Sequence, residues 1–286
     1  SNTVLIIVKG TSNEMFARMV EQLQSLFSRT THPLIVDFID EDENEVLRGV
    51  RLCRERKPAG VMFLGGTNQN FLSDFGKIDI PAVVVTNDAS TLPFENLSSV
   101  STNDRRGAAC AVEYLIRSGH REIAVLGGDR KLSDTSEQRY IGCVEAFARN
   151  QLRFDEKTWY HTGRYSYESG YAGMQEVLRQ TPQVTAVFAM ADVIAIGAIR
   201  ALADAGLRVP DDISVIGYDG LKIGGYYTPK LSTVSQSVDL LAERGFTVLM
   251  DCMERGGKAR HITVPFTLSN RESVKKTAGA EPSGGK

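Results

Sequence analysis

Short apolar runs rich in Val, Ile and Leu alternate with longer stretches whose apolar residues recur three and four positions apart. The short runs fall at residues 4–8, 34–39, 61–64, 82–85, 123–126, 186–190 and 214–217. Helical periodicity covers 14–27, 43–56, 104–117, 136–149, 167–179 and 193–205 between them. Unbroken apolar runs, rather than in/out alternation, belong to strands covered on both faces. Such strands separated by amphipathic helices predict an α/β fold with doubly wound parallel sheets. After Ser235 the pattern predicts one more long helix over 238–254 and a strand over 262–268.

Punctuation supports two of the helices. Asp104 is placed to cap the first, Ala109, Val112, Leu115 and Ile116 share its apolar stripe, and Gly119 offers a left-handed exit. In the second, Ile196, Ile199, Leu202 and Ala203 lie on one face, Gly206 ends it and Pro210 prevents resumption. The tail 277–286 is small, polar and Gly/Pro-rich, and is expected to be mobile.

With 286 residues, 42% of them hydrophobic and 24% charged, the chain can build two cores. Its formal charge is −2, from 33 basic and 35 acidic residues, without the basic excess of a module that grips DNA by itself. Any DNA-contacting part is therefore expected outside this chain. Cys53, Cys110, Cys143 and Cys252 show no C-x-x-C spacing and read as buried free thiols, which fits a reducing cytoplasm. No run of 18 apolar residues suggests a membrane span.

Enzyme signatures are missing from the places they would occupy. There is no phosphate-binding G-x-x-x-x-G-K-[ST], no G-x-G-x-x-G after the first strand, no G-x-S-x-G and no H-E-x-x-H. His32, His120, His161 and His261 are far apart, and His120 reads as a structural group after a helix-ending glycine. No cofactor, metal or catalytic residue is expected.

Two long stretches carry family wording. Residues 103–128, including Asn-Asp-Arg-Arg-Gly-Ala-Ala and Ser-Gly-His-Arg-Glu-Ile-Ala-Val-Leu-Gly-Gly, resemble the start of the second lobe of lactose-repressor-type regulators. Residues 184–192 and 209–219, the latter Val-Pro-Asp-Asp-Ile-Ser-Val-Ile-Gly-Tyr-Asp, resemble that family's later half. Leu231-Ser-Thr-Val-Ser-Gln236 and Leu268-Ser-Asn-Arg-Glu-Ser273 match as well. The resemblance implies two periplasmic-binding-protein-like lobes joined by three crossover strands, with a small polar effector held between them. The crossings are expected near 101–103, 233–236 and 262–264. Lobe one is then 3–100 plus 237–261, and lobe two 103–232 plus 265–274. Relatives also carry an N-terminal helix-turn-helix, which nothing before Thr3 resembles.

In open α/β sheets, ligands sit beyond the carboxyl ends of the strands. Combined with the resemblance, that rule selects seven residues. Asp192 is either a plain helix cap or a carboxylate for ligand hydroxyls, and the family's usual Asn-Asp is here Ala191-Asp192. Arg139 offers a planar fork of donors suited to vicinal hydroxyls or a carboxylate. Phe16 and Tyr165 match aromatics that flank the ligand, although Phe16 also suits a core position. Asn13, Asn87 and Gln236 complete the polar set. Lobe one departs more from the family, since the usual Asn-Pro-aromatic-aromatic appears as Asn13-Glu-Met-Phe16.

The expected function is effector sensing for a transcriptional regulator. A sugar or sugar derivative suits the site best, with a purine-like or amino-acid-like ligand left open. Lobe closure would change operator affinity through the missing DNA-binding part, in a homodimer and away from any membrane. The rival reading is a solute-binding component of a membrane transporter, which would share the two-lobed fold.

Overall fold

The computed structural model describes residues 1–281. The chain begins with β1 (Val4–Lys9), α1 (Glu14–Phe27), β2 (Leu34–Ile39), α2 (Glu45–Arg56), β3 (Gly60–Leu64), α3 (Asn68–Asp74), β4 (Ala82–Val85) and β5 (Leu97–Thr102). It continues through α4 (Asp104–Arg117), β6 (Ile123–Gly127), α5 (Asp134–Arg149), α6 (Glu156–Trp159), β7 (Tyr160–Thr162), α7 (Tyr167–Gln180), β8 (Ala186–Ala189) and α8 (Asp192–Asp204). The last elements are β9 (Ser214–Asp219), β10 (Ser232–Gln236), α9 (Val238–Arg255), β11 (His261–Val264) and β12 (Phe266–Ser269).

These elements form two compact units. The first holds residues 1–103 and 237–265, with the short segment 131–135; the second holds 104–130, 136–236 and the chain from Phe266 on. Each unit has its own six-stranded sheet, ordered β11-β5-β4-β3-β1-β2 in the first and β12-β10-β9-β8-β6-β7 in the second. All pairings in the first sheet are parallel. In the second, only β12 against β10 runs antiparallel.

The central strands are buried on both faces, which explains why their sequences do not alternate. Residues 4–8 of β1 and 61–64 of β3 are completely inaccessible. One face of the first sheet meets α2 and α3 through an aromatic chain, with Phe63 and Phe71 edge-on at 5.1 Å and Phe75 and Phe94 at 5.0 Å. Against the other face, Phe27 of α1 meets Phe246 of α9 edge-on at 4.8 Å. The second core gathers Val112, Leu115, Phe147, Phe188 and Tyr218, with Phe147 stacked on Phe154 at 4.8 Å.

The sequence pattern did not reveal α3, β5 or β7, all short or mostly free of helical periodicity. The single strand expected over 262–268 is two strands, β11 and β12, in different sheets on either side of Pro265. Of the cysteines, Cys143 is fully buried, whereas Cys53, Cys110 and Cys252 are half-buried rather than buried as expected. His120 is structural: Nδ1 pairs with Thr185 Oγ1 at 2.9 Å and Nε2 with the Lys275 carbonyl at 3.1 Å. The Thr277 and Glu281 amides donate to the Ser118 and Arg117 carbonyls at 2.8 and 3.0 Å, satisfying the open end of α4. Residues 282–286 of the expected tail lie outside the described residues.

Helices α7 and α8 approach closely because two glycines face each other's backbone. A Cβ on Gly170 would strike the Ile194 carbonyl, and one on Gly197 the Tyr167 carbonyl. Neither obstacle is a side chain that could swing away. A Gly197→Ala change gains helix propensity of about 1 kcal/mol but forces the helices apart. We expect a net loss of about 1–3 kcal/mol, read as a lower urea midpoint; an unchanged or raised midpoint would show that the helix pair can relax freely.

Candidate functional site

The second unit concentrates polar groups at the carboxyl ends of its strands. Arg139 is carried by α5, which can lie against α4 because a Cβ at Gly142 would collide with the Arg105 carbonyl. That approach sets Arg139 beside Asp104, the first residue of α4. Arg139 Nε donates to Asp104 Oδ1 at 3.0 Å, Nη1 donates to the Met190 carbonyl at 2.6 Å, and the guanidinium lies 3.9 Å over the Tyr218 ring. Tyr218 also donates its hydroxyl to Asp104 Oδ1 at 2.8 Å. Asp104 is therefore committed to this triad rather than to capping its helix. Among the described residues, no acceptor is bonded to Arg139 Nη2.

The ionisation of the triad follows from its burial. Desolvation works against the Arg139 charge, but Asp104, Tyr165, Tyr218 and Asp219 outweigh it, so the guanidinium stays charged. The Asp104 carboxyl is raised by burial, with Arg139 and Tyr218 pulling it back down.

Asp219 ends β9 beside this triad. Its backbone has φ +120°, a conformation an L-residue adopts only under constraint, and Gly220 follows at +75°. Gln236, the last residue of β10, donates Nε2 to Asp219 Oδ1 at 2.9 Å. Oδ2 has no protein donor among the described residues. Burial pushes the Asp219 carboxyl up to about 8, against the pull of Arg139 and with a further push from Asp192.

Asp192 is fully buried and is not a helix cap, because Ala191 occupies that position. Its Oδ2 accepts from the Leu221 amide at 2.7 Å and its Oδ1 from Thr233 Oγ1 at 2.7 Å. It thus ties the exit of β9 to β10, and burial lifts its carboxyl to about 7. Tyr165 is half-buried and shares a 2.6 Å hydrogen bond with Ser136 Oγ.

The first unit gathers its own polar groups at the corresponding strand ends. Asn13 caps α1, accepting from the Met15 amide at 3.1 Å. Phe16 is only 6% exposed and packs over Gly65, so it occupies a core position at the end of β3. Asn87 is buried and donates Nδ2 to the Gly66 carbonyl at 2.9 Å, next to Thr86, whose φ is +94°. Beneath them lies a buried ion pair, Lys9 Nζ to Glu45 Oε2 at 2.8 Å. Glu45 also receives the Thr67 amide at 2.9 Å and Asn70 Nδ2 at 3.0 Å.

Of the seven residues selected from sequence, Arg139, Tyr165, Asp192 and Gln236 stand in the second unit and Asn13, Phe16 and Asn87 in the first. Asp104, Tyr218 and Asp219 were missed as site residues, as was the Lys9–Glu45 pair. Asp219 was within reach of the strand-end rule, being the charged residue that closes β9. Asp104 was disguised by its position at a helix start, where a cap explains any Asp.

Residues 112–274 match the model of a periplasmic binding protein-like domain family. Among curated relatives, the HTH-type transcriptional repressor PurR of Erwinia tasmaniensis is 39% identical over 277 residues, covering 96% of this chain and 80% of its own. The probable transcriptional repressor ExuR of Bacillus subtilis is 32% identical over 273 residues, covering 94% of this chain and 79% of its own. A solved complex of the transcriptional regulator CelR with cellobiose superposes with TM-score 0.82 at 26% identity, covering 96% of this chain and 84% of that one.

The raised carboxyls give the second unit a defined pH response. Asp192 and Asp219 hold protons more tightly folded than unfolded, so their contribution is full below the ordinary value of 3.8. It is lost as pH rises through their folded values of about 7 and 8. Asp219→Asn should flatten the fall in urea midpoint between about pH 5 and pH 8. An equally steep fall in the variant would show that Asp219 does not titrate in that window.

Proposed function

The chain belongs to the lactose-repressor family of transcriptional regulators, and on that footing we propose that it senses a sugar or sugar derivative through the Arg139–Asp219 group. It is a binding protein, not an enzyme. One observation carries the ligand assignment. Arg139 Nη2, a donor, and Asp219 Oδ2, which donates when the carboxyl holds its proton and accepts when ionised, both stand at strand carboxyl ends without protein partners among the described residues. A sugar hydroxyl donates and accepts at once, so vicinal hydroxyls satisfy both groups together. Tyr165 supplies an apolar face for sugar C–H groups. Asp192 and Gln236 act by positioning, the first through the β9 and β10 loops and the second through Asp219. The cellobiose carried by the CelR complex supports the same ligand class.

Asn13, Phe16 and Asn87 are proposed as ligand contacts of the first unit at its own strand ends. A ligand favours whichever arrangement of the protein it binds more tightly, and only by that difference. Operator affinity then changes through a DNA-binding segment, with a coupling of about 1–3 kcal/mol. A homodimer reading a two-fold operator is the economical assembly.

Thermal-shift screening with sugars, sugar phosphates, nucleobases and amino acids should find stabilisation by sugars above all. For the best sugar, Asp219→Asn and Arg139→Lys should each weaken binding about tenfold or more while the protein stays folded. Unchanged affinity in both variants would remove the Arg139–Asp219 group from the site. Sedimentation at roughly micromolar concentration should show a dimer, and a monomer alone would sink that part of the proposal.

A further inference from the structure

The near-neutral charge of the whole chain hides an uneven distribution. Every pairing in the first sheet is parallel, so each covering helix runs back toward the amino ends of the strands. Helices α1, α2 and α9 therefore all finish at that one end. Contacts draw the three finishes together. His32, after α1, pairs through Nδ1 with the Asn2 carbonyl at 2.8 Å, and its Nε2 lies 3.6 Å from Glu254 of α9. The Ala59 amide, after α2, donates to the Thr3 carbonyl at 2.8 Å, and a Cβ on Gly60 would strike Met253 of α9.

Exposed cations cluster on this end: Arg29 beyond α1, Arg54, Arg56 and Lys57 at the close of α2, and Arg255 and Lys258 at the close of α9. None of these side chains is engaged by a carboxylate among the described residues. The acidic groups of the helix ends are already occupied. Glu55 faces Arg51 at 3.8 Å, Asp251 accepts from Arg260 at 2.8 Å, and Glu254 has His32. Two exposed carboxylates, Asp79 and Glu95, precede β4 and β5 at the same end and are outnumbered. Cations in the last turn of a helix offset its dipole, but the effect fades within that turn. Arg29, Lys57 and Lys258 lie past it, so helix termination does not account for the cluster. Beside the end of α9 is an open hollow of about 320 Å³, lined by Arg255, Lys258 and the Arg260–Asp251 pair.

We propose that this end of the first unit is a docking surface for the phosphate backbone of duplex DNA. A polyanion with evenly spaced charges answers cations spread over three helix ends, where one small anion would leave most of them unmatched. Contacts of this kind add affinity and hold orientation without reading sequence. Exposed aromatic side chains, the stacking platforms that single strands use, stand elsewhere: Phe38 toward the carboxyl end of β2 and Tyr226 in the second unit. Membership of a family of transcriptional regulators favours DNA over an acidic protein as the polyanion. The inference leans on that membership and not on the sugar site. A surface making six phosphate contacts loses about a thousandfold in affinity between about 50 and 200 mM salt, so it assists a DNA-binding segment rather than replacing one.

Fluorescence anisotropy of a labelled duplex of arbitrary sequence, titrated with the chain, tests this. Saturable binding is expected at about 50 mM salt, fading steeply by about 200 mM. R54A/R56A/K57A and R255A/K258A alter only exposed side chains. Each should weaken binding about tenfold or more and make the salt dependence shallower, with an unchanged melting temperature. K222A/K230A removes two exposed cations of the second unit, the same change in net charge as R255A/K258A, and should alter neither affinity nor salt dependence. Polyglutamate should compete about tenfold more weakly than unlabelled duplex. Four results would each overturn the proposal: no saturable binding at about 50 mM salt, full affinity in either first-unit variant, K222A/K230A losing as much as R255A/K258A, or polyglutamate competing as well as duplex. Asp219→Asn should leave this titration unaltered, so failure here and failure of the sugar site are told apart.

Discussion

The buried triad of Asp104, Arg139 and Tyr218 governs the second unit. Taking a guanidinium and a carboxylate out of water costs several kcal/mol per ion unless geometry and hydrogen bonds restore it. Here the restoration is shared by three elements: α4 supplies the carboxylate, α5 the guanidinium, and β9 the ring beneath and the hydroxyl beside. Removing Asp104 or Arg139 leaves the other's buried charge without its partner. The close approach at Gly142 is what allows the two helices to bring these charges together. Asp219 inherits its place from this arrangement, since it is the residue after Tyr218.

The first unit reaches a comparable end by other means. Its buried ion pair, Lys9 with Glu45, joins the end of β1 to the start of α2, while Thr67 and Asn70 bring in α3. Both units place a non-glycine residue with strongly positive φ where a strand stops, Thr86 after β4 and Asp219 in β9. Such backbone persists only when its surroundings over-determine it, and it gathers where ligands are held. The polar residues beside these turns, Asn87 and Asp219, differ in what they offer. Asn87 is spent on the Gly66 carbonyl, whereas Asp219 keeps one oxygen uncommitted.

Much of this was legible in the sequence because strand burial and helix periodicity are local signals. Helices α1 and α4 match the periodicity residue for residue, and Gly119 and Gly206 adopt the left-handed exits expected of them. The short edge strand β7 escaped notice because Tyr160-His-Thr162 has no continuous apolar character. Within the candidate site, Arg139 and Tyr165 were singled out through family wording, and Gln236 through its place at an expected crossing between lobes. Asp192 shows the limit of such reasoning. Its position at a helix start suggests a cap or a ligand carboxylate, yet its partners, Leu221 and Thr233, lie 29 and 41 residues away. Pairings of that range depend on how strands come to lie side by side, which no local pattern encodes.

The discontinuity of both units bears on how the chain matures. The first sheet needs β11 to cover β5, and the second needs β12 beside β10, so the first is incomplete until residue 264 has been made and the second until residue 269. Long-range parallel pairing must also overcome loop-closure entropy before its contacts repay it, which makes such topologies slow to form. During synthesis the edges of β5 and β10 therefore stand open as templates for wrong partners. The chain's last strands act as its final quality step, closing both exposed edges within a few residues of one another.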